Sequence, residues 1–600
     1  MRIFLLWRSI GDKGAALAAE DVTAKLQKVF APLFGTPLMQ TVHQNPGMAL
    51  VLLELPVQRW KPPFVQEDEH TCALAVDYPI NGRTVLAANG VSFSEDNFLP
   101  ALCHRLQTEP RTLLKDLAPP FSLVWTSKQT GETYVQNDGL GQSQLFEFQD
   151  EHLWALSNKI TAFKALGVSL VPEPEQWAVW ATVGWFPLEM SGYKNIRFLA
   201  PATRLRLTAE GLSRTSHDVL SDWVHPQKMT PTDCLELARC SLLNLIEGCE
   251  SLWMKPSAGL SGGWDSRAVV ASLRKVSVDF SARVRGLPGS HDVVIATELA
   301  RIAGMRLKVQ AGGLPPEAAN SCRRSIELAL LWQSGHLNGY RHKTFLAHQP
   351  CLEPRPVSVT GQHGEIGRRE RMFSDEYQPE KIGDAQFSNQ QHEDCIVGAL
   401  IKDMPPFTRP RMQERLGATI RQAVRQADRY DLAGLARVDF FGLYEFTRRK
   451  GSAVHAYQSR LLIAPFLNPD YIRAAFGYLD RSDTNVFPRH IIQINAPEWA
   501  GVPYYEDREQ QQTESTGASP NRPLEARVAT GANWKQPLGR RQYDGSRYWQ
   551  TVGKPLLDEA FAHGGLWTEI FDSDLAKQHW PASPDALAVI YMLPHVLEGI

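Results

Sequence analysis

The segment Ala258-Gly-Leu260 runs into Ser261-Gly-Gly-Trp-Asp-Ser266 and then, from about Arg267 to Val276, into a stretch with helical spacing. A short strand, a glycine turn and a helix in that order restrict the fold more than any other feature of the chain. Adjacent glycines open backbone conformations closed to other residues. The helix brings its positive N-terminal end to the turn. The alternation then continues. Phe280–Arg285 reads as a strand, Asp292–Ala303 as a helix stopped by Gly304, and Arg306–Gln310 as a strand. This is a βαβαβ unit and predicts a parallel sheet.

The turn's amides, with the hydroxyls of Ser261 and Ser266, suit a pyrophosphate. Asp265 is a poor neighbour for an anion unless a divalent cation lies between them, which points to Mg²⁺. A glycine turn capped by Ser and Asp is the plain structural alternative. The whole string in its strand–turn–helix setting is what favours a nucleotide.

Upstream the pattern differs. Met48–Leu55, Phe121–Trp125, Thr133–Gln136 and Thr203–Leu207 read as strands, separated by turns at Asn81-Gly82, Asn137-Asp138-Gly139 and Glu210-Gly211. From Thr230 to Ile246 apolar residues recur at helical spacing behind a Thr-Pro-Thr-Asp capping signal. The expected fold is α/β in two domains: a sheet-rich domain over 1–215 and a second domain with a parallel sheet over 228–600. Residues 373–395 and Arg508–Arg522 read as polar surface inserts.

A formal charge of −2 over 600 residues, with no long run of Lys and Arg, argues against nucleic-acid partners and against an anionic membrane surface. Eight cysteines without a CxxC pair argue against a disulfide or zinc framework. The opening MRIFLLWRSIGDKG reads as a first strand and not a signal peptide, and no window is apolar enough to span a bilayer. A cytoplasmic protein is the expectation.

Ser261-Gly-Gly-Trp-Asp-Ser266 is similar to the pyrophosphate loop of the PP-loop ATP pyrophosphatases, which cleave ATP to AMP and pyrophosphate. Three further strings, in order, point to the asparagine synthetase branch. Val359-Thr-Gly-Gln-His-Gly-Glu365 resembles that branch's second magnesium loop, with Glu365 where an Asp stands in the family. Ala464-Pro-Phe-Leu-Asn468, within Arg460–Tyr471, resembles the segment that packs beneath the active site. Asn137-Asp-Gly-Leu-Gly-Gln-Ser-Gln-Leu145, with Ser157-Asn158, resembles part of the family's N-terminal glutaminase-type domain, of the Ntn-hydrolase kind; a simple β-turn is the alternative for Asn137–Gly139.

The resemblance implies ATP and Mg²⁺ as cofactors. Leu260, Ser261, Gly262, Gly263, Asp265, Ser266 and Gly361 would bind nucleotide, Asp265 and Glu365 would hold metal, and the adenine would lie near the Phe280–Leu287 strand end. Two departures matter. Glutamine-hydrolysing members expose a Cys at the N-terminus, whereas position 2 here is Arg and the first cysteine is Cys72. The N-terminal domain is therefore expected to keep the fold without glutaminase activity. Where ammonia-using members carry an acid, this chain has Gln362, followed by His363. His363 is either a general base or a residue that hydrogen-bonds the loop.

Arg368, Arg369 and Arg371 could clamp pyrophosphate or form a solvated turn, and Lys535, with Lys554 behind it, is the candidate for steadying an acyl-adenylate. The expected activity is adenylation of a carboxylate followed by attack of an amine. An amine within the substrate is favoured, as in lasso-peptide macrolactam cyclases and β-lactam synthetases. That reading implies a precursor peptide, and a protease or leader-binding protein as partner. An ammonia-fed amidotransferase acting on aspartate or a sugar acid, and a non-catalytic scaffold, are the alternatives.

Overall fold

The computed structural model describes residues 2–10, 17–35, 38–45, 48–286, 290–310, 319–336, 354–368, 388–402, 404–453, 461–480, 483–504 and 552–579, with 586, 589 and 590 near the end.

Strand β1 (Arg2–Ser9) alternates strictly. Ile3, Leu5 and Trp7 join one hydrophobic cluster, while Phe4 and Leu6 join another. A strand with two apolar faces must be covered on both sides. Around β1, the strands β2 (Met39–Asn45), β3 (Met48–Glu54), β8 (Phe146–Gln149), β9 (Leu153–Ser157) and β10 (Ile196–Phe198) form an antiparallel sheet in the order β10-β8-β9-β1-β3-β2. A second antiparallel sheet has the order β12-β11-β7-β6-β5-β4. Its strands are β4 (Val65–Glu67), β5 (Thr71–Asp77), β6 (Ser122–Ser127), β7 (Thr133–Asn137), β11 (Thr203–Leu207) and β12 (Leu212–Ser216).

The sheets face each other. Phe4, Leu6, Leu50 and Leu52 from the first meet Leu74, Val76, Val124 and Leu205 from the second in one cluster. Outside the first sheet pack the helix Ala19–Phe30 and the helix Pro174–Val183; outside the second packs Phe98–Thr108. The strands expected at Met48, Phe121, Thr133 and Thr203 all lie in these sheets.

The third sheet is parallel throughout. It contains β13 (Ser257–Gly259), β14 (Ser281–Arg285), β15 (Leu307–Gln310), β16 (Ser358–Val359) and β17 (Leu462–Ile463), in the order β15-β14-β13-β16-β17. The chain winds outward from β13 to β15, then returns to the other side of β13. The strand order reverses between β13 and β16, and ligands of open α/β sheets bind beyond the strand ends at such a switch point. Helices α1 (Pro231–Gly248), α2 (Trp264–Lys275) and α3 (His291–Ile302) follow the sequence pattern. Thr230 and Asp233 make the expected reciprocal cap on α1.

The hydrophobic clusters do not stop at residue 228. One runs from Phe64 and the second antiparallel sheet to the parallel sheet and Trp499. Another joins β1 to the helix Ala319–Gln333 and to Leu556 and Leu557. The polar stretch 373–395 ends differently from expectation. Ser388 caps a helix, Asn389–Ile401, whose Ile396 and Val397 are buried against Leu416 and Ile420. Arg508–Arg522 and residues 373–387 lie outside the described residues. No described helix is long and apolar enough to cross a membrane, and the seven described cysteines are free thiols.

Leu6 is fully buried between the two antiparallel sheets, whereas Val42 on the edge strand is 39% exposed. Leu6→Ala should therefore lower stability by about 3 kcal/mol and Val42→Ala by less than about 1 kcal/mol. Urea unfolding midpoints check this, and equal shifts would contradict the sandwich placement.

Candidate functional site

The loop after β13 and the loop after β16 leave the sheet side by side. Gly361 shows how closely they meet: a Cβ there would lie 2.6 Å from the Ser266 nitrogen and 2.9 Å from the Asp265 carbonyl carbon. At Gly364 a Cβ would fall 2.2 Å from the Asp265 carboxyl carbon. Such approaches require residues without side chains.

Within the first loop the hydroxyls of Ser261 and Ser266 lie 2.7 Å apart, and the Ser261 N–H donates to Ser266 Oγ at 3.1 Å. The Gly263 N–H donates to Ser261 Oγ at 3.2 Å. The Gly262 N–H donates to Asp292 Oδ1 at 2.9 Å, so a carboxylate from the start of α3 already sits on the turn's amide. The glycines' purpose differs from the sequence reading. Gly263 holds φ −81°, which any residue adopts. A Cβ at Gly263 would meet only Ser261 Oγ among the described residues, at an ordinary contact distance of 3.6 Å, so neither backbone nor close packing requires glycine there. Leu260 is buried in the core, and its N–H donates to the Arg283 carbonyl oxygen at 2.8 Å, so only its backbone can face a ligand.

Sequence reasoning missed several residues. Arg267 is fully buried in α2, donating to the carbonyl oxygens of Val502 and Pro503 at 2.9 Å and of Gly262 at 3.3 Å. Its guanidinium lies 3.8 Å from the Tyr504 ring centre, and Trp264 stacks on the same ring. The Ser261–Ser266 turn is thus bolted to residues 502–504. Tyr471, on helix α4 (Pro469–Gly477), rises from beneath: a Cβ at Gly367 would strike its hydroxyl. Burial raises the Tyr471 pKa, as do the nearby Asp265 and Glu365 carboxylates, against Arg368. The Ala464–Asn468 segment packs into the same core.

Asp265 and Glu365 lie in this cluster with Arg368, whose Nε is 3.1 Å from Asp265 Oδ1. Burial raises the Glu365 pKa; Arg368 and Lys450 pull it down. No group of three or more His, Cys, Asp or Glu among the described residues could hold a metal. Two carboxylates are nonetheless the complement Mg²⁺ takes when phosphate oxygens and water supply the rest. The Asp292 carboxylate seated on the Gly262 N–H shows that this amide can hold an anionic oxygen.

His363 holds a left-handed backbone, φ 70°, and is 2% exposed. A Cβ on Gly451 would lie 2.5 Å from its ring. Its Nε2 meets the Gln142 amide at 3.3 Å, and its Nδ1 faces Glu365 Oε1 at 4.0 Å. The amide orientation that satisfies every neighbour of Gln142 donates to the Thr447 carbonyl oxygen and accepts from the Ser452 N–H. That orientation turns the Gln142 oxygen to His363 Nε2–H. Desolvation lowers the His363 pKa to about 4, so the ring is neutral near pH 7 and a weak proton acceptor. This weighs against the general-base expectation and for a loop-holding role. Gln362 Oε1 is buried and has no hydrogen-bond partner among the described residues.

Gln142 belongs to the Asn137–Leu145 loop, which Asp138 organises by accepting N–H bonds from Leu140, Gln142 and Ser143 at 2.8–3.0 Å. The loops expected in separate domains therefore meet at His363. Lys554 is remote in character, paired with Asp558 on a helix whose Leu556 and Leu557 pack with the first antiparallel sheet. Lys535, Arg369, Arg371 and Leu287 lie outside the described residues.

No protein-family model matches the chain, and no curated protein matches it. Among solved structures, the glutamine phosphoribosylpyrophosphate amidotransferase from B. subtilis complexed with ADP and GMP matches with 13% identity and a TM-score of 0.25, covering 53% of this chain and 67% of that one. A structure described as the allosteric regulatory enzyme of purine biosynthesis matches with 12% identity and a TM-score of 0.25, covering 53% and 82%. Likeness at that level assigns no activity to this chain.

A histidine whose folded pKa lies below its unfolded value of about 6.5 contributes fully above that pH and loses its contribution as pH falls towards 4. Wild-type protein should lose about 3 kcal/mol more than His363→Gln between pH 6.5 and 4. Denaturant titrations of both proteins across that range measure the difference; parallel curves would show a solvated imidazole.

Proposed function

We propose that this chain is an ATP-dependent ligase that adenylates a carboxylate and lets an amine displace AMP, with an amine inside the substrate favoured. The observation that carries the reading is the meeting of Ser261–Ser266 and Thr360–Glu365 at the switch point of a parallel sheet. One loop offers backbone and hydroxyl donors at a helix N-terminus, and each brings a carboxylate.

In this reading the Gly262–Gly263 turn and the Ser261 and Ser266 hydroxyls bind the pyrophosphate end of ATP, displacing Asp292 from the Gly262 amide. Asp265 and Glu365 would hold Mg²⁺, which supplies charge neutralisation at the phosphates. Arg368 is placed to swing from Asp265 to a phosphate oxygen as the metal takes the carboxylate. A substrate carboxylate attacks the α-phosphorus and pyrophosphate leaves. An amine then attacks the acyl carbon, the acyl C–O bond breaks and AMP leaves with the bridging oxygen, and the amine proton passes to solvent or a neighbouring acceptor. Holding the amine against the acyl carbon and excluding water is the larger task. His363, neutral and wedged between Gln142 and Gly451, keeps the loop in register.

The sandwich of two antiparallel sheets between helices supports an N-terminal domain of the glutaminase-type fold, and the start of β1 supports its inactivity. Arg2 is buried, with Nε donating to the Val76 carbonyl oxygen at 2.5 Å and the guanidinium 3.5 Å from the Phe64 ring centre. The first thiol, Cys72, is pushed up to about 11 by burial, which suppresses its thiolate. A precursor peptide with an internal amine is the favoured substrate, and a protease or leader-binding protein the implied partner. Ammonia-fed amidation of aspartate or a sugar acid is the competing chemistry.

Calorimetry should show MgATP binding to the wild type that weakens at least about tenfold in Asp265→Asn; unchanged affinity would remove Asp265 from the nucleotide site. Glutamine incubated with the protein alone should yield no glutamate above a protein-free blank. Sustained glutamate release would restore a glutaminase.

A further inference from the structure

The parallel sheet carries a second group of cations, around a cavity that reaches Ser257 and Ser281 at the starts of β13 and β14, whereas the Ser261–Ser266 turn follows the end of β13. On β14, Ala282 and Val284 are buried, which turns Ser281 and Arg283 to the other face. Arg283 is in direct register with Lys308 on β15 and with Gly259 on β13. Side chains in register on neighbouring strands share a face, and like charges directly opposite each other destabilise a sheet. A Cβ on Gly259 would meet nothing within 4 Å, so the row Lys308–Arg283 opens onto free space.

Two more arginines arrive from elsewhere. The isolated parallel bridge Gln58–Pro356 brings the segments of Arg59 and Arg355 together, the two arginines flanking the bridge, with the Gln58 N–H donating to the Arg355 carbonyl oxygen at 3.2 Å. All four cations line one cavity of about 470 Å³, together with Gln310 and Ser281, and none of its described lining residues is a carboxylate. Among the described residues none of the four is ion-paired: Arg59 donates to the Lys255 carbonyl oxygen at 2.9 Å and Arg283 to Ser358 Oγ at 2.9 Å. Four cations converging from four segments repel one another unless an anion joins them.

We propose that this cavity binds a small phosphate-bearing anion as a second site, distinct from the Ser261–Ser266 turn. The volume suits a ligand of the size of a nucleotide or a sugar phosphate. Arginines offer paired donors matched to phosphate oxygens, and Lys308 adds a point charge. The proposal stands independently of the ligase reading, because it rests only on the sheet register and the cavity lining.

Inorganic pyrophosphate is the probe, titrated by calorimetry in magnesium-free buffer into wild type, Ser266→Asp, and Ser266→Asp carrying Lys308→Ala and Arg355→Ala. Lys308 and Arg355 are exposed, and thermal melting checks that the variants fold. The expected result is binding to Ser266→Asp that is lost at least about tenfold when Lys308 and Arg355 are also replaced. Binding that Ser266→Asp abolishes, or that the double replacement leaves unchanged, would overturn the second site. Citrate is the control arm. It should bind about tenfold more weakly than pyrophosphate, and equal binding would overturn the phosphate assignment.

Discussion

Contact between two loops organises this molecule. Gly361 lies against the backbone of Ser266 and Gly364 against the carboxyl of Asp265, closer than any side chain permits. That contact exists because β13 and β16 are neighbours in the sheet although about a hundred residues separate them. Much of the surrounding packing serves it. Arg267 ties the turn to residues 502–504 from one side, and Tyr471 fills the space under Gly367 from another.

A second constraint is the buried polar seam between the antiparallel half and the parallel sheet. Asp138 gathers three amides and so presents Gln142, which meets His363. Beside it a π-helical segment, Gly442–Gly451, carries Arg448 and Arg449, fully buried or nearly so. Arg449 donates to the carbonyl oxygens of Phe186 and Met190, and Glu445 accepts the Leu188 N–H. Burial lifts the Glu445 pKa to about 7. The Arg449 and Glu445 bonds tie this segment to residues 186–190 of the antiparallel half. A single hydrophobic cluster spanning both halves makes the same point with apolar contacts.

The sequence was most legible where period and punctuation agreed. Helices α1, α2 and α3 and the strands between them stand within a few residues of their expected places, because their apolar spacing and caps leave one consistent reading. The candidate site was legible where motif and local structure coincide, at Ser261–Ser266 and Glu365. It was illegible where partners come from afar. Asp292 on Gly262, Tyr471 under Gly367 and Gln142 on His363 are separated in sequence by 30 to 221 residues, and no local pattern announces them. The glycines illustrate the same limit: Gly361 and Gly364 are needed for close approach, and that reason is not visible without coordinates. The helix Asn389–Ile401 was hidden by its polar composition, since only one face is apolar.

The most direct test of the account is an experimental structure determined with Mg²⁺ and a non-hydrolysable ATP analogue. The account predicts phosphate density above Gly262 and Gly263, a metal between Asp265 and Glu365, and Arg368 withdrawn from Asp265. An analogue bound elsewhere, with the Arg368–Asp265 pair and the Gly262–Asp292 bond intact, would contradict it.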